Sequence, residues 1–298
     1  MSTVACLAGD GVGPELMAAV SRALDRVAKL HALELDDIHL PFAGEAVTRS
    51  GHALPQSTRA GYRDADAILV ASPGAPALEG VKADLQLAWR VARIQLGDGR
   101  DIVVVGPVGE WTNEIALQHA FRSAAARRGR VVTVGEGPMW RRAVAEESDR
   151  WSGLEVEESS LADALERVRE HPETLDVVVT EHQLVSIFVD TVAHVAGSRS
   201  SVAHAWLPDE GPGLFVPGMS QAEELAGLGV ADPKAMFLTA SLMLAEGLKR
   251  RSASRTLERA VDAASKRDVR DTRAFTDAVI ELLPSARTDV DHFDEAWR

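Results

Sequence analysis

Thr3 to Leu7 is a short apolar run, and further on Leu16, Ala19, Val20, Ala23, Leu24 and Val27 recur three and four residues apart. The first pattern predicts a buried strand and the second one face of a helix. Glu34 to Leu40 reads as an extended segment and Ala65 to Ser72 as a parallel strand. Asp101 to Val105, Arg130 to Val134 and Leu175 to Thr180 read as further buried strands, and Gly153 to Glu158 as extended chain. Helices are predicted over Glu114 to Arg127, over Leu161 to Glu170 with Leu161, Leu165 and Val168 on one face, and over Glu181 to Asp190. Ala235 to Gly247 is apolar enough to be a core helix, and Leu257 to Ala264 is amphipathic. There is no internal repeat or low-complexity linker.

At 298 residues and 46% hydrophobic content, the chain can build one large α/β domain or two modest ones around a sizeable core. No apolar run reaches membrane-spanning length and the N-terminus lacks the regions of a signal peptide, so the expected location is cytoplasmic. The one cysteine, Cys6, lies inside the first predicted strand, which excludes a disulfide framework and predicts a buried, structural thiol. A net charge of −13 argues against a nucleic-acid partner, since a phosphate backbone needs a concentrated basic surface. The basic groups at 127–130, 141–142 and 249–251 read as solvated helix ends.

Chemistry enters with Leu7-Ala-Gly-Asp-Gly-Val-Gly-Pro-Glu15. Its glycines allow a tight turn, and Pro14 is preset for a first helical position. A strand, a glycine turn and a helix N-terminus together suit an anionic ligand; the plainer reading is a turn and nothing more. The string resembles the opening of the isocitrate and isopropylmalate dehydrogenases, NAD(P)-dependent β-decarboxylating enzymes whose chains begin with a strand followed by GDGIGPE. Gly51-His-Ala-Leu-Pro-Gln-Ser-Thr58 is similar to the family's GxALPxxT segment, and Ala65 to Ser72 with Pro73-Gly-Ala-Pro76 to its ADAIL strand and glycine-proline loop. Leu214 to Pro233 resembles FEPVHGSAPDIAGKGIANP without a gap, and Asp271 to Leu283 the closing segment and helix. The resemblance implies a two-domain α/β fold with a cleft between domains: residues 1–98 and 206–298 as the larger domain, 99–205 as the smaller. It also implies a homodimer, a small-molecule substrate and no membrane span.

The same resemblance marks what has changed. In the family, arginines clamp the carboxylates of a malate-like substrate; Arg90 and Arg93 suit that task, and at i, i+3 they equally suit a plain helix surface. The family's catalytic tyrosine lies beyond the strand matching Asp101 to Val105, yet the sole tyrosine here is Tyr62, and the dimer-clasping arm is trimmed. The lysine that handles the substrate hydroxyl proton falls on Glu136, reversing the sign of charge. Of two metal-binding aspartates four residues apart, the first falls on Ser186 and the second on Asp190, leaving too few oxygens for Mg²⁺. In the loop that holds the cofactor's adenosine, His-Gly-Ser-Ala-Pro-Asp becomes Met219 to Glu224, with only Glu224 left to meet a ribose.

No cofactor is therefore expected; the residual positions are Gly11, Gly13 and Glu224 for NAD(P) and Asp190 for Mg²⁺. His182, Ser186, Asp190 and His194 recur every four residues, a polar stripe that either lines a cleft or faces water or a second subunit. Asp190, His182, Glu136 and Glu110 are the catalytic candidates, and Arg90, Arg93, Trp111 and Ser186 the substrate-binding ones. Trp89, Trp111, Trp140 and Trp206 offer apolar or cation-stabilising walls. Three functions stay open: a non-redox lyase, isomerase or cyclase reusing the cleft, a non-catalytic regulatory relative, and a 2-hydroxy acid dehydrogenase with an altered cofactor site.

Overall fold

The computed structural model describes residues 1–72, 75–97, 99–109, 112–218, 222–267, 269 and 271–285. It is a mixed α/β chain that divides into two compact units, 1–86 with 210–298, and 87–209. The divisions fall at 86/87 and 209/210 rather than the expected 98/99 and 205/206.

In the first unit, β1 (Ser2–Leu7) leads into α1 (Gly13–His31) and β2 (Leu35–His39), followed by α2 (Ala43–Ser50), α3 (Gln56–Arg63), β3 (Ala67–Val70) and α4 (Ala75–Asp84). The apolar run of β1 is buried because strands lie on both its sides: β2 pairs parallel with one edge and β3 with the other. Cys6 is enclosed there, and burial, with Asp37 nearby, pushes its thiol pKa up to about 12, so it is an inert core residue. Tyr62 is fully buried and donates its hydroxyl to Asp84, which also pairs with Arg59.

The second unit contains β4 (Leu87–Gln95), β5 (Asp101–Pro107), α5 (Asn113–Ala125), β6 (Arg130–Val134), α6 (Pro138–Ser148), β7 (Glu155–Ser159), α7 (Leu161–Glu170), β8 (Val177–Thr180), α8 (Val185–Val195) and β9 (Val202–Pro208). Arg90 and Arg93, for which a plain helix surface was one of two readings, lie on the extended strand β4. β4 pairs antiparallel with β5 on one side and β9 on the other, so its arginines project from a sheet. The order within this unit is β9-β4-β5-β8-β6-β7, with β5, β8, β6 and β7 mutually parallel.

Because side chains alternate across a strand, β5 and β8 bury both faces. One set, including Val104, Val178 and Val134, packs with Phe188, Val189 and Val192 of α8 and Val168 of α7. The other face carries α5, whose buried residues Ala116, Leu117, Ala120, Phe121 and Ala124 form its inner stripe. The helix predicted from 181 begins instead as a single 3₁₀ turn at His182–Leu184, and α8 starts only at Val185.

The chain then returns to the first unit through β10 (Gly213–Pro217), α9 (Lys234–Leu242), α10 (Arg251–Ser265) and α11 (Thr272–Leu282). β10 pairs parallel with β3, completing the order β2-β1-β3-β10 there. The apolar helix predicted to Gly247 is α9 continued by a π turn, Met243–Gly247. No helix among the described residues is long and apolar enough to cross a membrane. Residues 286–298 lie outside the described residues.

Candidate functional site

In open α/β sheets, ligands gather at the carboxyl ends of the parallel strands. In the second unit those ends are Pro107 of β5, Thr180 of β8 and Val134 of β6. A cavity of about 570 Å³ lies there, lined by Asn113 and Glu114 at the start of α5, by 137–140 and Ala143 around the start of α6, and by Glu181, His182 and Gln183 after β8.

Glu181 leaves the end of β8 and accepts a hydrogen bond from the Gly137 N–H at 3.1 Å. Gly137 is the N-cap of α6, so the carboxylate sits at the positive end of that helix. The approach is close: a Cβ on Gly135 would lie 2.6 Å from the Trp140 ring and 2.7 Å from Glu181 Cγ. Trp140 is only 2% exposed and forms an apolar wall. His182 places Nδ1 3.0 Å from the carbonyl oxygen of Pro107. A carbonyl only accepts, so Nδ1 carries the hydrogen of this bond, and Nε2 lies on the other side of the ring. Asn113 Oδ1 is buried with no hydrogen-bond partner.

The sequence candidates are scattered relative to this cavity. His182 lines it; Glu136 does not, being exposed, with its main-chain carbonyl accepting from Arg141. Asp190 lies on the outward face of α8, its side chain 60% exposed and paired with Arg199 at 3.0 Å. It borders a surface hollow with Arg169, Ile187, Thr191 and His194. All four residues of the stripe are exposed, but they are split: Ser186, Asp190 and His194 lie on α8, while His182 sits before the helix and is bonded to β5. Glu110 and Trp111 lie outside the described residues. Trp89 stacks on His119, ring centres 5.5 Å apart, and Trp206 on His204 at 5.4 Å, both within this unit.

The two arginines of β4 have different surroundings. Arg93 pairs with Asp101 at the far, amino-terminal end of β5, in an ion-pair cluster with Arg127, which makes it structural rather than a substrate clamp. Arg90 donates to Ser186 Oγ at 3.2 Å, and its Nε is buried without a partner. Burial depresses the Arg90 guanidinium pKa, and Asp190 counteracts this in part. Arg90 retains the donors to take a carboxylate. It does so on the face opposite Trp89, which packs toward α5.

Among the described residues, neither implied cofactor finds a matching donor set. Ser186 and Asp190 are committed to Arg90 and Arg199, and no group of three or more His, Cys, Asp or Glu among the described residues is placed to hold a metal. In the glycine turn, Gly11 has φ +61 and a Cβ on Gly13 would lie 2.0 Å from the Ala8 carbonyl oxygen, so the turn needs these residues for its own closure. Asp10 there accepts from the Gly44 N–H at 2.8 Å. Glu223 and Glu224 are exposed carboxylates on one 3₁₀ turn, an unfavourable setting for an anionic diphosphate; 219–221 and the loop residues 73–74 lie outside the described residues.

Glu181 was not among the sequence candidates. The available signal was its place as the first charged residue after the apolar run Val177 to Thr180, at a strand's carboxyl end.

The family model for isocitrate/isopropylmalate dehydrogenase matches residues 3–90 and 108–280. The 3-isopropylmalate dehydrogenase of Pseudoalteromonas translucida is 30% identical over 323 aligned positions, covering 88% of this chain and 90% of its own. That of Synechococcus sp. (strain CC9902) is 29% identical, covering 87% and 90%. Among solved structures, the β-decarboxylating dehydrogenase of Thermococcus kodakarensis superposes with a TM-score of 0.82 at 22% identity, covering 100% of this chain and 99% of that one. The isocitrate dehydrogenase of Methylococcus capsulatus gives 0.79 at 20% identity, covering 95% and 99%. The chain belongs to the isocitrate/isopropylmalate dehydrogenase family.

Proposed function

We propose that the protein is an enzyme of this family that performs acid–base chemistry on a small molecule, a lyase, isomerase or cyclase step, in the cavity of the second unit. The observation that carries this reading is the pair Glu181 and His182: both line the cavity, one held by the Gly137 N–H and the other by the Pro107 carbonyl. A positioned carboxylate beside an imidazole suits acid–base work: Glu181 takes a proton from one substrate atom and returns it to another as the product forms, with His182 as a hydrogen-bond partner of the substrate. Arg90 is the proposed anchor for any carboxylate on the other sheet face. A cytoplasmic homodimer is the proposed state, on the family resemblance.

The names of the relatives favour a second reading, a dehydrogenase, supported here by the retained glycine turn. Against it stand Glu136 where the family carries lysine, Ser186 where it carries aspartate, and the acidic pair Glu223 and Glu224. The separating experiment is calorimetric titration of the protein with NAD⁺ and NADP⁺, with and without Mg²⁺, followed by absorbance assays on 3-isopropylmalate and isocitrate. The expected result is no saturable binding and no reduction of the nucleotide. Saturable binding with turnover restores the dehydrogenase.

A further inference from the structure

We propose that the cavity of the second unit takes a protonated amine or guanidinium carried on an apolar body; this rests on the reading of that cavity as the working site. Its charged lining is anionic. Glu181 brings a carboxylate, Asn113 an oxygen buried with no partner, and His182 an imidazole that turns Nδ1 to the Pro107 carbonyl. Glu114 adds a second carboxylate at the cavity edge.

A bound dicarboxylate such as 3-isopropylmalate would place acceptors against acceptors and charge against like charge. An ammonium group has three N–H donors and no acceptor, and a guanidinium has five. Either satisfies the Asn113 oxygen, which is otherwise a buried acceptor without a partner.

The cationic groups nearby are engaged elsewhere. Arg141 donates to the Glu136 carbonyl at 2.7 Å, and Arg142 pairs with Glu146 at 2.7 Å while also feeling Glu114. Neither lines the cavity, and no lysine or arginine does so among the described residues. The positive helix ends are matched as well: Glu181 sits on the N-cap of α6, and Glu114 lies in the first turn of α5. The rest of the lining is the Gln183 amide, Gly137, and the apolar Pro138, Met139, Trp140 and Ala143, against which an alkyl chain or ring can pack.

The test is calorimetry on the full chain with benzylamine, n-hexylamine and agmatine, against benzoate and 3-isopropylmalate. Saturable binding of the amines, weakened at least tenfold by Glu181→Gln and abolished by Ala143→Trp, supports the proposal. Ala143→Trp fills the cavity while leaving Glu181 and Gly137 in place, so it remains informative where Glu181→Gln fails to fold. Carboxylates that bind better than the amines and are displaced by Ala143→Trp overturn the ligand class and leave the cavity as the working site. Probes that bind equally well to wild type and Ala143→Trp, or not at all, overturn both.

Discussion

The two ends of β5 and β8 carry charge in opposite ways. At the amino-terminal end, Asp101 is held by Arg93 and Arg127, and Asp176, with its side chain 1% exposed, by Arg127 and Arg128. Arg128 also reaches the Asp101 and Leu175 carbonyls. At the carboxyl-terminal end, five residues on from Asp176 along β8, Glu181 has one backbone partner, His182 bonds through Nδ1, and Asn113 Oδ1 has no partner. The first arrangement closes on itself and fixes the sheet. The second leaves acceptors unspent beside a cavity, which is where a ligand completes the count.

The largest expected effect comes from breaking the closed end. Asp176→Ala leaves Arg127 and Arg128 partly uncompensated near a buried carboxylate site, and a loss of about 3 to 5 kcal/mol is expected. Urea unfolding followed by circular dichroism measures it; a loss under about 1 kcal/mol means the cluster is solvated and the contrast between ends is false. A smaller effect appears with acid. Burial alone would raise the Asp101 carboxyl, but Arg93 and Arg127 outweigh it and hold it well below the usual carboxylate range. Its folded pKa is therefore depressed. The stability it contributes is full above the unfolded value, about 4, and is lost as pH falls toward the folded one. Denaturation midpoints between pH 6 and pH 3 should drop more steeply in the wild type than in Asp101→Asn, and parallel curves would contradict the assignment.

The smallest effect is expected at the open end. Glu181→Gln keeps an oxygen for the Gly137 N–H and removes only a half-exposed charge, so stability should change by about 1 kcal/mol or less. A change as large as that of Asp176→Ala would make Glu181 a structural residue and erase the difference between the two ends.

Much of this frame was legible in the residue order. Val4 to Leu7, Ile68 to Val70 and Val177 to Val179 read as buried strands because nothing polar interrupts them, and they are buried. β4 was ambiguous because Arg90 and Arg93 sit three apart, a helical spacing, within a strand whose two faces are each only half covered. What separated them was tertiary: Arg93 meets Asp101 across the β4·β5 ladder, where the two residues' neighbours pair antiparallel. α6 is not among the predicted helices, although proline after an N-cap glycine opens it. The site divided in the same way. His182 was visible as an imidazole beside a strand end, whereas the value of Glu181 depends on Gly137, forty-four residues earlier, and on the absence of a Cβ at Gly135.

His182 takes its orientation from a main-chain oxygen, not from an aspartate or glutamate. No single replacement at position 107 removes that oxygen, so the residue there is free to drift while the imidazole keeps its tautomer. Only a displacement of β5 itself would reorient the ring, which ties the setting of His182 to the buried parallel sheet.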